Sequence, residues 1–312
     1  MTLAPGDDGP EARRDLEGYR DAEPAPWPEG PRLAVSIVVN VEEGAELSIG
    51  DGDERNESLH EIREEVEGDV DPCMETHFAY GPRAGYRRVR DALGAAGARA
   101  TFSCCGRAAT RVPWLLREAA GCGHEIACHG WRWERHAGME ETRERALIAR
   151  THAAVATASG IAPRGWHTRS APSANTRRLL VEHGGFAYDS DAYDDDVPYH
   201  VTLARRSHVV LPYAFDTNDM RFAPGAGFVH AEDFARYTIA AFDRLLREGA
   251  SACRMLSIGL HLRTIGRPAR IGGLETLLEH IRRHDEARCM TRGEIAAAWR
   301  RHAGLPPWRA RS

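Results

Sequence analysis

The segment RLAVSIVVNVEE, Arg32 to Glu43, runs a nine-residue apolar stretch straight into a pair of carboxylates. A run that short and that continuously apolar suits a strand buried on both faces of a parallel sheet, where inside–outside alternation is lost. Segments of the same character recur at 98–105, 124–129, 163–168, 186–190, 208–213, 255–261 and 287–290. Helical patterns fill the intervals at 84–96, 113–121, 139–159, 174–183, 231–249, 272–284 and 291–302. Asn175 is a candidate N-cap with Gly184-Gly185 as the stop, and Thr291 with Glu294 has the spacing of a capping box. Such β–α alternation, without an internal sequence repeat, favours an α/β fold built as one (β/α) barrel over a doubly wound sheet.

Residues 1–31, rich in proline, glycine and acids, read as an extended arm, and 32–312 as the barrel domain. The polar, poorly periodic segment 44–80 reads as a long functional loop after the first strand. The length of 312 residues suits a single barrel, and 42% apolar with 28% charged residues is ordinary for a globular chain. A formal charge of −5 argues against a nucleic-acid partner. The seven cysteines, Cys73, Cys104, Cys105, Cys122, Cys128, Cys253 and Cys289, form no CxxC pair. They read as small hydrophobes in a reducing compartment. The first residues lack the apolar core of a secretion signal, and LAVSIVVNV is too short to cross a bilayer. The expectation is a cytoplasmic protein with no membrane partner.

In a (β/α) barrel the reactive groups stand where the strands end. The first strand ends in Asn40, Glu42 and Glu43, the third in His129, and the fourth in His167, Thr168 and Arg169. Asp189 and Asp191 follow, then His261 with Arg263. Each has a plainer alternative: a solvated strand end for the glutamates, or a satisfied core ring for the histidines. The acidic run DSDAYDDD (189–196) would alone be a solvated loop. Carboxylates, histidines and arginines converging on one face nevertheless point to a hydrolytic site.

With these residues in view, the chain resembles the NodB-type polysaccharide deacetylase superfamily, and within it the metal-independent allantoinase-like branch. That branch also holds cyclic-imide hydrolases and a peptidoglycan deacetylase. The resemblance rests on RDLEGY (14–19), NVEEGAE (40–46), GHEIACHGWRW (123–133), the run 175–199, LPYAFDTNDMRF (211–222) and MLSIGLHLRTIGRPAR (255–270). It implies a distorted (β/α)7 barrel, commonly a homotetramer. The superfamily's Asp-Asp pair, base and metal ligand, corresponds to Glu42-Glu43. Its His-x-x-x-His metal pair corresponds to His129 and Trp133, so one ligand is replaced by an indole. Its general-acid histidine corresponds to His261. His136 cannot replace the lost ligand from a shared helical face, because two turns put it about 10 Å from His129.

The resemblance implies a hydrolase that opens a cyclic amide, allantoin to allantoate first, with a place in purine catabolism. Glu42 or Glu43 would activate water, and His261 would protonate the departing nitrogen. His129, Trp133, His167, Arg169, Asp189 and Arg263 would hold the substrate. Imide or hydantoin nitrogen leaves more readily than a sugar amine, so the chemistry tolerates the absence of a Lewis acid. No cofactor is expected. The alternative is a zinc-dependent imidase or carbohydrate N-deacetylase, using Glu43 and His129 with His167 as the missing ligand. A non-catalytic binding protein is the third possibility. The loop WHTRSAPSANT (166–176) departs from the Trp-Tyr-Thr-Gly-Arg pattern of allantoinases by placing His167 for tyrosine and shifting the arginine to Arg169.

Overall fold

A computed structural model describes residues 16, 18, 19, 22–28, 30–58, 64–169 and 171–311. The strands are β1 (Leu33–Val41), β2 (Thr101–Cys104), β3 (Glu125–Cys128), β4 (Gly165–Trp166), β5 (Tyr188–Asp189), β6 (Tyr199–Leu203), β7 (Arg206–Val210), β8 (Met255–His261) and β9 (Ala287–Cys289). All nine positions of β1 are buried, as its unbroken apolar run requires. β1 runs parallel to β8 along one side, while β9 and then β2 share the other. From β2 the parallel order continues through β3, β4, β5 and β7, so seven parallel strands form the curled wall and β9 lies parallel beside β1 as an eighth. This is the expected distorted (β/α)7 barrel, with β6 added antiparallel outside β7.

The helices are α1 (Pro72–Tyr80), α2 (Tyr86–Ala96), α3 (Gly106–Arg111), α4 (Pro113–Gly121), α5 (Glu141–Ser159), α6 (Thr176–His183), α7 (Ala231–Glu248), α8 (Leu262–Ile265), α9 (Ile271–Arg282) and α10 (Arg292–His302). Thr291 and Glu294 form the expected reciprocal cap of α10. Asn175 holds the N-cap position of α6 but its side chain does not cap; it accepts instead from Arg178. Gly184 ends α6 in the left-handed conformation, as expected. Segment 44–80 is not all loop, because α1 occupies its last turns. Asp71 accepts from Met74 N and Pro72 takes the first helical position.

Between β7 and β8 the wall is completed by segment 211–218 rather than by a strand. Gly259 N donates to Thr217 O at 3.1 Å, and Asn218 bridges Gly259. A Cβ on Gly259 would lie 2.2 Å from Asn218 and 2.3 Å from the Tyr213 hydroxyl, so only glycine admits the segment. Buried Arg292, at the start of α10, cross-links the gap. It donates to Ser36, Ser257 and Ser190 at 2.9–3.1 Å and to the carbonyls of Leu211 and Pro212.

The described part of the arm packs on the barrel's own wall, not away from it. Cys253 N donates to Pro24 O at 2.9 Å, and Trp27 bonds Arg254 O at 3.0 Å with its ring edge-on to Trp299. The rest of 1–31, including Arg14, Asp15 and Glu17 of RDLEGY, lies outside the described residues. Cys104, Cys105, Cys128 and Cys253 are buried and all seven cysteines are free, while Cys73 and Cys122 are exposed. No helix among the described residues is long and apolar enough to cross a membrane. Arg292→Met is predicted to destabilise the fold by about 3 kcal/mol or more, because it strands buried acceptors on both sides of the gap. Urea unfolding monitored by circular dichroism measures it.

Candidate active site

The groups expected at the site sit at or beyond the carboxyl ends of their strands, and most of them meet around Glu42. Its Oε2 accepts from Arg263 Nη1 at 3.0 Å. Its Oε1 is ringed by His129 Nε2 at 3.4 Å, Arg169 Nε at 3.6 Å and His261 Nε2 at 3.7 Å. Glu42, Glu43, His129 and His261 are each only 2–3% exposed. Burial works to raise the Glu42 pKa, but His261, the His129 contact, Arg263 and Arg169 together hold it well below the usual carboxylate range. Glu42 is therefore an ionised carboxylate facing inward.

Glu43 behaves oppositely. Burial pushes it up to about 7, against the pull of Arg263 and with a push from Glu42. Its oxygens accept the backbone N–H groups of Arg263 at 3.0 Å and Glu42 at 3.2 Å, so it pins the strand end to α8. The carboxylate fits there because a π-helical turn, Gly81–Gly85, passes over it. A Cβ on Gly81 would sit 2.4 Å from Glu43 Oε1.

His261 is oriented by Asp219, a residue to which the sequence assigned no role. Asp219 is fully buried and accepts from His261 Nδ1 at 2.7 Å, from His261 N at 2.7 Å and from Ile265 N at 3.1 Å. Burial opposes protonation of His261, but Asp219 and then Glu42 outweigh it and raise the imidazole above its usual range. The ring's Nε2 is left facing Glu42 and the Asn40 amide. His129 is held similarly. Its Nδ1 donates to the His167 carbonyl at 2.7 Å, which turns Nε2 toward Glu42.

Trp133 forms the facing wall. It packs edge-on against Phe78 at 5.3 Å, with the Arg169 guanidinium 3.3 Å above its ring and that of Arg263 at 5.3 Å. His167 lies beside His129 with ring centroids 5.0 Å apart, and its Nε2 meets the Tyr193 hydroxyl at 3.2 Å. Asp189 is not brought to the site. Arg177 and His208 take up its fully buried carboxylate at 2.7 and 2.9 Å, where it braces β5. Buried Asn40 Oδ1, Trp133 Nε1 and His167 Nδ1 have no hydrogen-bond partner among the described residues. Such atoms are costly unless something arriving satisfies them.

These side chains do not fit a divalent cation. Two guanidinium groups crowd Glu42, backbone donors engage both Glu43 oxygens, and the Trp133 indole beside them has no lone pair to offer an ion. Among the described residues, the one trio of potential ligands with donor atoms within 4.8 Å of one another is Asp243, His280 and His284, which is not part of this site.

The polysaccharide deacetylase family model matches residues 69–187. A protein named putative polysaccharide deacetylase from Schizosaccharomyces pombe (strain 972 / ATCC 24843) is 36% identical over 92% of this chain and 96% of its own. A crystal structure of a probable polysaccharide deacetylase from Pseudomonas aeruginosa PAO1 matches with TM-score 0.88 and 40% identity, covering 95% of this chain and 100% of that one. Puue allantoinase matches with TM-score 0.87 and 40% identity, covering 93% and 98%. The chain belongs to the polysaccharide deacetylase family. It is a hydrolase acting on carbon–nitrogen bonds other than peptide bonds.

Asp219→Asn removes the main influence that keeps His261 protonated. The alkaline limb of the pH–turnover profile is then predicted to move to lower pH, with turnover at neutral pH falling about tenfold or more. A profile unchanged in position would show that His261 is not the titrating acid.

Proposed function

We propose that the protein opens the ring of a small cyclic amide, allantoin first, by carboxylate-activated water and a histidine acid, with no metal in the reaction. The burial of the reacting groups carries this reading. Glu42 and His261 are 3% exposed, with Arg169 stacked on Trp133 beside them, so the reacting groups are not laid open to a polymer strand. The likeness to Puue allantoinase supports the same substrate class. The unpartnered Asn40 Oδ1 acceptor and Trp133 Nε1 donor complement a ring whose edge alternates N–H and C=O.

In this mechanism Glu42 Oε1 takes a proton from water as the oxygen attacks the ring carbonyl carbon. The guanidinium groups of Arg263 and Arg169 stabilise the oxyanion that forms, in a site from which water is otherwise excluded. The C–N bond breaks as the His261 imidazolium gives its proton to the departing nitrogen. Glu42 then returns its proton to His261, 3.7 Å away, which restores both groups. Glu43 takes no proton in this cycle and holds Arg263 in place.

Purified protein should be offered allantoin, a simple hydantoin, a cyclic imide and an N-acetylglucosamine oligomer. Ring opening is expected, with Glu42→Gln slowing turnover on the order of 10²- to 10⁴-fold while the circular dichroism spectrum is unchanged. Release of acetate from the oligomer with the rings untouched would contradict the proposal.

A further inference from the structure

On the outer layer, α7 and α9 lie side by side and present a second constellation that the hydrolytic site does not use. Asp243 of α7 faces His280 of α9, with Oδ1 2.8 Å from Nε2. One helical turn beyond, His284 donates from Nδ1 to the His280 carbonyl at 2.9 Å. That bond places the hydrogen of neutral His284 on Nδ1 and its lone pair on Nε2. The two imidazoles have centroids 4.7 Å apart, and both rest edge-on against buried Phe242 at 5.3 Å. Asp243, His280 and His284 each offer a ligand atom, and these atoms lie within 4.8 Å of one another.

An interhelical Asp–His hydrogen bond alone would account for Asp243 and His280. It would not require a second imidazole to converge on the same point from the next turn, with its tautomer set by its own helix. We propose that Asp243, His280 and His284 form a binding site for a zinc-like divalent cation that clasps α7 to α9. Two imidazoles and a carboxylate are the ligand types such ions take, with water completing a tetrahedral set. All three side chains are partly exposed, so the ion has a path in from solvent. Arg244 and Arg283, next in sequence to Asp243 and His284, are paired with Glu248 and Glu279. On binding, the ion takes the place of the hydrogen between His280 and Asp243. That hydrogen moves to Nδ1 of a neutral His280, or leaves to solvent from an imidazolium.

The test uses the full-length chain, stripped by chelator and titrated with zinc chloride against a chromogenic competitor. Wild type and His129→Ala are both expected to bind about one equivalent. His284→Ala and Asp243→Asn, with unchanged circular dichroism, should lose it or bind on the order of tenfold more weakly. The zinc-induced rise in Tm should vanish with it. A variant-free arm adds cobalt to wild type and follows the histidine ring resonances, of which His280 and His284 should broaden. No zinc bound by wild type, equal binding by His284→Ala, or loss in His129→Ala instead would overturn the proposal.

Discussion

An ionised carboxylate buried at the end of β1 is the constraint around which the site is organised. Removing such a group from water costs several kcal/mol, and only close opposite charge and hydrogen bonding offset that. Glu42 draws its partners from separated parts of the chain: His129 after β3, Arg169 after β4, and His261 with Arg263 where β8 passes into α8. The parallel sheet makes this convergence possible, because it delivers every strand's last residue to the same face. Without any one partner the charge would be under-compensated. The site and the upper rim of the barrel are therefore stabilised together.

The same environment separates the two neighbouring glutamates into different roles. Glu42 faces the cationic groups and stays ionised, while Glu43 is turned into the turn at Gly81, where burial dominates and its pKa rises to about 7. In the proposed reaction the arginines take the purpose that a divalent ion would serve, since both neutralise charge beside an attacking oxygen. Arg263 and Arg169 supply that charge from side chains locked by a carboxylate and by the Trp133 ring. The Trp133 indole is the platform on which one of these cations rests.

Much of this was legible before any coordinates. The continuous apolar runs located eight parallel strands to within a few residues, because burial on both faces leaves a signal that turn chemistry need not supply. The β6–β7 hairpin escaped notice for a physical reason. Its two-residue turn, Ala204-Arg205, has φ of 48° and 60° yet carries neither asparagine nor glycine, the residues that usually advertise such turns. α1 was hidden because only Met74 and Phe78 are buried along it, too few for a periodic stripe, although Asp71-Pro72 was a readable start. Strand-end position picked out Glu42, Glu43, His129 and His261, which the fold brings together. It could not find Asp219, which arrives from the loop DTNDMRF, where several polar residues compete and only the fold selects one. Asp189 failed for the converse reason: it stands at a strand end, but Arg177 and His208 reach it first.

In the proposed reaction, arginines and an ionised glutamate perform the hydrolysis without a Lewis acid. The direct measurement is allantoin turnover by the purified protein before and after exhaustive chelation, with bound metal quantified on the same samples. Turnover that persists unchanged in metal-depleted protein is the predicted result. Turnover that falls with the metal and returns on adding zinc would contradict it.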